Sequence, residues 1–171
     1  MICCVTGHRP KGFSFPRDLN NFTYENYYNY LYNKVKNLIF EGYDYFISGM
    51  ADGADIDFAS IVLILKNEGY PIMLEAALPY PPHSSIKKGS KYKEELQILL
   101  TKCDCKTIVS PYYFKGCMQK RNRYMVDKSD LVLAIWNGKE EGGTWDTIKY
   151  ALSKNKPIQY IMLDSIKPNS L

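Results

Sequence analysis

Histidine is scarce in this chain and cysteine is present in an odd number, two and five residues respectively. Cys103 and Cys105 lack the two-residue spacer of zinc knuckles, and His8 and His83 supply no complementary pair, so no metal site is expected. Cys3 and Cys4 fall inside an apolar run and Cys117 stands alone, which excludes a disulfide framework and points to a reducing compartment. No apolar run approaches the length of a membrane span, and the first residues carry no basic segment of the signal-peptide kind. The expectation is a cytoplasmic protein with no membrane partner. Charge of one sign is limited too: the net +4 falls short of the concentrated basic stripe of a nucleic-acid-binding domain. Two short clusters, Lys87, Lys88, Lys91, Lys93 and Lys115, Lys120, Arg121, Arg123, read as solvated faces, with Arg121 the exception. Repeats, linkers and low-complexity segments are also missing. Residues 1–171, with 46% hydrophobic and 23% charged residues, are expected to form one domain that buries its core unaided.

Tyrosine is abundant, at 15 residues, and concentrated between Tyr24 and Tyr32. That stretch reads as an amphipathic helix with aromatic edges rather than a stacking platform for bases. Around it the chain alternates. Strands are expected at Ile2–Thr6, Tyr45–Ser48, Ile72–Leu78 (interrupted by Glu75), Lys106–Ser110, Leu131–Trp136 and Ile158–Leu163. Helical spacing runs from Thr23 to Glu41, from Ala54 to Leu65, from about Lys88 to Lys102, from Met118 to Lys128, and from Trp145 to Leu152. Such alternation predicts an α/β fold, a three-layer sandwich around a mostly parallel sheet of about six strands. Ligands of such sheets lie outside the carboxyl ends of the strands, where strand order reverses.

The loops after the strands therefore carry the chemistry. Strand one runs into Thr6-Gly7-His8-Arg9-Pro10, a tight exit with a hydroxyl and a guanidinium suited to phosphate or carboxylate. Gly7 and Gly12 have the spacing of a P-loop, but Phe13 stands where the lysine is required and no helix starts there. Strand two ends in Ser48-Gly49-Met50-Ala51-Asp52-Gly53-Ala54-Asp55 directly before a helix, whose free N–H groups suit an anion. This is not the dinucleotide fingerprint G-x-G-x-x-G, so a nicotinamide dehydrogenase is not favoured and no cofactor is expected. Asp52 and Asp55 are as suited to capping that helix as to touching a ligand. Strand five ends in Trp136-Asn137-Gly138, and Gly142-Gly143-Thr144 then opens another helix with the same device. Arg121 and Asn122, on the preceding helix, can reach the same cleft. Asp130 is read as pinning the turn before strand five.

Taken in order and spacing, these segments, with Met125-Val126-Asp127-Lys128-Ser129-Asp130, resemble the SLOG superfamily and more narrowly its YpsA-like branch of small bacterial and phage proteins. The abundance of Asn, Lys, Tyr and Ile fits an AT-rich genome of that kind. The resemblance spans nearly the whole chain. It implies a Rossmann-like sheet with a pocket for nucleotide-derived ligands, and a homodimer is a common state among the relatives. These include the Lonely Guy phosphoribohydrolases, the DNA-processing protein DprA, and sensor domains for ADP-ribose-type signals. One departure matters. Lonely Guy enzymes follow the second glycine-threonine loop with a catalytic glutamate, whereas this chain reads Gly143-Thr144-Trp145-Asp146-Thr147, with Asp146 out of register.

Three readings follow. The leading one is a sensor or sequestering protein for an ADP-ribose-like ligand. Thr6, Gly7, His8 and Arg9 would line one end, Ser48, Gly49, Gly53, Gly143 and Thr144 would cradle phosphates, and Arg121 would neutralise charge; Met50, Asp52, Asp55, Asn122, Asn137 and Gly142 complete the expected set. The second is a nucleotide N-glycosidic hydrolase using Asp52, Asp55 or Asp146 as acid or nucleophile. The third is DprA-like binding of single-stranded DNA through the lysine clusters, with steep salt dependence.

Overall fold

A computed structural model describes residues 1–81 and 91–167. Six strands form one sheet: β1 (Ile2–Gly7), β2 (Tyr45–Ser48), β3 (Met73–Leu78), β4 (Cys105–Ile108), β5 (Leu131–Trp136) and β6 (Ile158–Met162). Their order is β4-β3-β2-β1-β5-β6, and every pairing is parallel. Five helices connect them: α1 (Phe22–Phe40), α2 (Ala54–Asn67), α3 (Lys91–Lys102), α4 (Cys117–Lys128) and α5 (Gly142–Ser153). This is the Rossmann-like architecture that the alternation predicts.

The chain steps outward from β1 to β4, then returns across the sheet to place β5 beside β1. Right-handed crossovers put connections that travel in opposite directions on opposite faces. Accordingly α1, α2 and α3 share one face and α4 and α5 pack together on the other. In β1, Cys3 and Val5 join the core beneath α1 and α2, while Cys4 meets Met125, Val126 and Ala151 from α4 and α5. A strand buried on both faces cannot alternate apolar and polar residues, which is why β1 and β5 read as continuous apolar runs.

Local signals account for the helix ends. Asn21 caps α1, its side-chain oxygen accepting from the Thr23 and Tyr24 amides, both at 3.1 Å. Tyr24, Tyr27, Leu31, Val35 and Leu38 form the buried stripe of that helix. Tyr27 meets Phe13 edge-on, with ring centroids 5.3 Å apart, so the tyrosine-rich stretch is largely core. Asp130 pins the start of β5, its carboxylate accepting from the Ile2 amide at 2.8 Å.

Glu75 does not interrupt its strand. It lies fully buried inside β3, where Tyr45, Thr107, Tyr124 and Lys128 all donate to its carboxylate at 2.6–2.7 Å. Burial alone would raise this carboxyl, but those donors outweigh it and hold it below its ordinary value. The remaining differences from expectation are shifts of element ends, such as β4 at Cys105–Ile108. The expected start of α3 near Lys88 lies outside the described residues.

Candidate functional site

Strand order reverses between β1 and β5, and a cavity of about 360 Å³ opens there above their carboxyl ends. Its floor comes from β1. The β1–β5 ladder continues through Thr6↔Ala134 and Gly7↔Ile135, beyond the last β1–β2 pair at Cys4↔Ile47. Thr6 follows Cys4 at the two-residue strand period and so points to the α4–α5 face. Along α4, Met118, Arg121, Met125 and Lys128 recur at helical spacing. The first two line the cavity, the third packs in the core and the last reaches Glu75.

Arg121 is the buried cation of the cleft, only 5% exposed. Its Nη1 donates to the Gly49 carbonyl, and Asp55 Oδ2 lies 3.7 Å from the same nitrogen. Its Nε is buried without a hydrogen-bond partner among the described residues. Burial lowers the arginine from its usual value, with Asp55 acting in the opposite direction. Asp55 is itself raised by burial, against the pull of Arg121 and the Ala51 amide. A guanidinium remains charged through such shifts. Arg9 and Lys11 also line the cavity, so cations outnumber the carboxylate of Asp55 there.

The helix α5 brings its amino terminus to the same cavity through Gly143 and Thr144. Glu141, at its N-cap, makes no side-chain capping bond. Beyond Gly142 and Gly143 lies open space, with nothing within 4 Å of where a Cβ would stand. The first-turn amides of a helix have no partner inside it, and here they face a cationic cavity.

The second glycine loop is built differently. Gly53 (φ 101°) presses against the chain after β1; a Cβ there would stand 2.5 Å from the His8 carbonyl oxygen. The Ala54 amide donates to that same oxygen at 3.1 Å. At Gly49 the space a side chain would need is filled by the Arg121 guanidinium. Ser48 is wholly buried, its hydroxyl donating to the Asp55 carbonyl and accepting from the Met50 amide. Met50 sits in the core with φ 55°, its carbonyl held by the Tyr92 hydroxyl at 2.9 Å. This loop therefore aims Arg121 and Asp55, while α5 presents the open helix terminus.

Of the residues that sequence reading selected, Thr6, Gly7, His8, Arg9, Asp55, Arg121, Asn122, Gly143 and Thr144 line the cavity together. Asn137 stands behind it, donating to the Gly12 carbonyl at 3.3 Å. His8 is half-buried, and desolvation lowers it despite the neighbouring Asn137 side chain, a shift that favours the neutral imidazole. Asp52 turns to Arg17, 3.4 Å away. Asp146 is exposed, pairs with Lys149 at 3.0 Å, and lines a different cavity. Lys87, Lys88 and His83 lie outside the described residues.

Sequence reading passed over Lys11, Gly12, Ala51 and Met118, all in the lining. Met118 was accessible from its three-residue spacing to Arg121. It also passed over Arg17, which joins Asp57 at 2.7 Å, Glu95 at 3.1 Å and Asp52, fastening the segment after β1 across α2 and α3. No local signal announces that contact.

Residues 3–166 match the family described as the YspA SLOG family. Among curated proteins, the chain is 27% identical over 171 residues to a UPF0398 protein of Bacillus pumilus (strain SAFR-032), covering 97% of this chain and 90% of that protein. No helix among the described residues is long and apolar enough to cross a membrane.

Proposed function

The chain belongs to the YspA SLOG family, and from that premise we propose that it binds a nucleotide-derived, phosphate-bearing small molecule, ADP-ribose-like, as a sensor or sequestering protein. One observation carries the reading: an uncapped helix terminus and a buried guanidinium with a free Nε face the same cavity. Each alone is an ordinary feature. Together they form a built anion site at the reversal of strand order, where sheets of this class receive ligands. A phosphate would take the α5 amides and Arg121, with Arg9 and Lys11 compensating further charge. Thr6 and Asp55 would face the sugar hydroxyls.

A second reading, N-glycosidic hydrolysis, draws support from Asp55, a buried carboxyl raised by its surroundings inside the cleft. Asp52 and Asp146 turn elsewhere, so among the described residues no second carboxylate joins it in the lining.

The test is a thermal-shift panel of ADP-ribose, NAD, ADP, AMP and cyclic nucleotides, with mass spectrometry of the recovered ligand. Stabilisation with intact ligand is expected, since a ligand of the folded state alone raises the melting temperature. Release of free base would support hydrolysis. Gly143→Val places a side chain in open space, so folding should persist while affinity falls about tenfold, roughly 1.4 kcal/mol. Unchanged affinity in that variant would remove α5 from the site and the proposal with it.

A further inference from the structure

A second cavity, of about 370 Å³, lies between α4 and α5. It shares Asn122 with the cleft, and the wall between them is one chain of hydrogen bonds. Asn122 Nδ2 donates to Thr147 Oγ1 at 2.9 Å, and Thr147 Oγ1 donates to the Gly143 carbonyl at 2.8 Å. Helix α5 thus borders both spaces, with Gly143 and Thr144 on one side and Thr147 and Tyr150 on the other.

The lining has a definite chemistry. Arg123 sits over the Tyr150 ring, its guanidinium carbon 5.3 Å from the centroid. The ring is oriented by its hydroxyl, which donates to the Asp127 carboxylate. Among the described residues Arg123 makes no ion pair, and Asp146 is paired with Lys149. Gln119 shows no hydrogen bond there either, leaving a free amide with both donor and acceptor groups. A planar cation beside an aromatic ring, with carboxamides at the margin, suits a flat heteroaromatic ring that stacks and hydrogen-bonds along its edge.

Size points the same way. Pockets for small molecules span about 300–1,000 Å³, so each cavity suits one small moiety, and a linker passing over the amino terminus of α5 would connect the two occupants.

We propose that the cavity between α4 and α5 seats the second, ring-bearing half of a two-part ligand, whose anionic linker lies at the α5 amino terminus and whose first half fills the cleft. This rests on the anion site proposed above and extends it to a ligand class: two ring-bearing halves joined through phosphate, as in a dinucleotide.

The experiment compares ADP with NAD and diadenosine diphosphate by calorimetric titration, in the wild type and in Gln119→Ala/Arg123→Ala. Both substituted residues are exposed, so the double variant should fold normally. The expected result is that at least one two-part ligand binds the wild type tenfold or more tightly than ADP. The double variant should lose that advantage and keep its ADP affinity. Equal affinity for one-part and two-part ligands, or an equal loss for both in the variant, overturns the second seat and leaves the cleft reading standing. Failure of all three to bind the wild type overturns both.

Discussion

The guanidinium of Arg121 occupies the volume that a side chain at position 49 would need, and it donates from Nη1 to the Gly49 carbonyl. A main-chain oxygen thus aims the cation of the cleft, with Asp55 farther off at 3.7 Å. Gly49→Ala should displace the guanidinium and weaken binding of whichever nucleotide stabilises the protein by about tenfold, roughly 1.4 kcal/mol. Arg121→Lys should not rescue binding, since an ammonium lacks the planar fork. Titration of both variants checks this, and wild-type affinity in Gly49→Ala would show that the orientation of Arg121 is irrelevant to the ligand.

Gly53 and Gly142 both hold positive φ, at 101° and 75°, but only Gly53 is crowded. Gly53→Ala should therefore lose stability through strain and through collision with the His8 carbonyl. Gly142→Ala meets strain alone. Backbone strain of this type costs about 1–3 kcal/mol, and for a chain of this size each kcal/mol lowers Tm by about 2–4 °C. Thermal unfolding should rank the variants with Gly53→Ala well below Gly142→Ala; the reverse order would contradict the packing described.

The Glu75 hub makes stability depend on acid. Its folded carboxyl lies below the ordinary value of 4.5, so the unfolded chain takes up the proton first as pH falls. The stabilisation is complete above 4.5 and is lost as pH drops through the folded value. Lys128→Met removes one charged donor and should cost about 1.5–3 kcal/mol near neutral pH. That deficit should shrink as pH falls below 4.5. Urea melts at several pH values give the comparison, and a deficit independent of pH would assign the loss to packing instead.

The two tryptophans form an offset stack, Trp136 on Trp145, with centroids 5.4 Å apart and planes 6° from parallel. Trp145 directly follows Thr144, so ligand at the α5 terminus should alter the intrinsic emission. Trp145→Phe should abolish most of that change while retaining binding by calorimetry. Emission that stays constant at saturation in the wild type would place the ligand away from α5.

Much of this was legible because local rules and tertiary demands agreed. Apolar runs marked β1 and β5, and helical spacing marked α1 and α2. Thr6, Arg9 and Thr144 were found by asking which polar groups stand in the loops after the strands, and Arg121 by asking which helix residue could reach the same cleft. What escaped needed distance in space. The glycines of the second loop suggested an anion cradle, but Gly49 makes room for a residue 72 positions away and Gly53 for the chain after β1. Glu75 looked like a break in its strand because its partners sit on β2, β4 and α4. The wall between the two cavities likewise depends on Asn122 meeting Thr147 across two helices.

The return of the chain from β4 to β5 sets an order of events during synthesis. The ladder joining Cys3 to Leu131 closes only after β5 has emerged, and pairings so distant form late because loop closure must come first. Until then the emerging half exposes the bare flank of β1, an unpaired apolar edge of the kind that invites aggregation. Arg121 and the α5 terminus arrive with the same late segment, so the full set of groups of the proposed anion site and the cover of that flank come together. A nascent chain halted before β5 has neither.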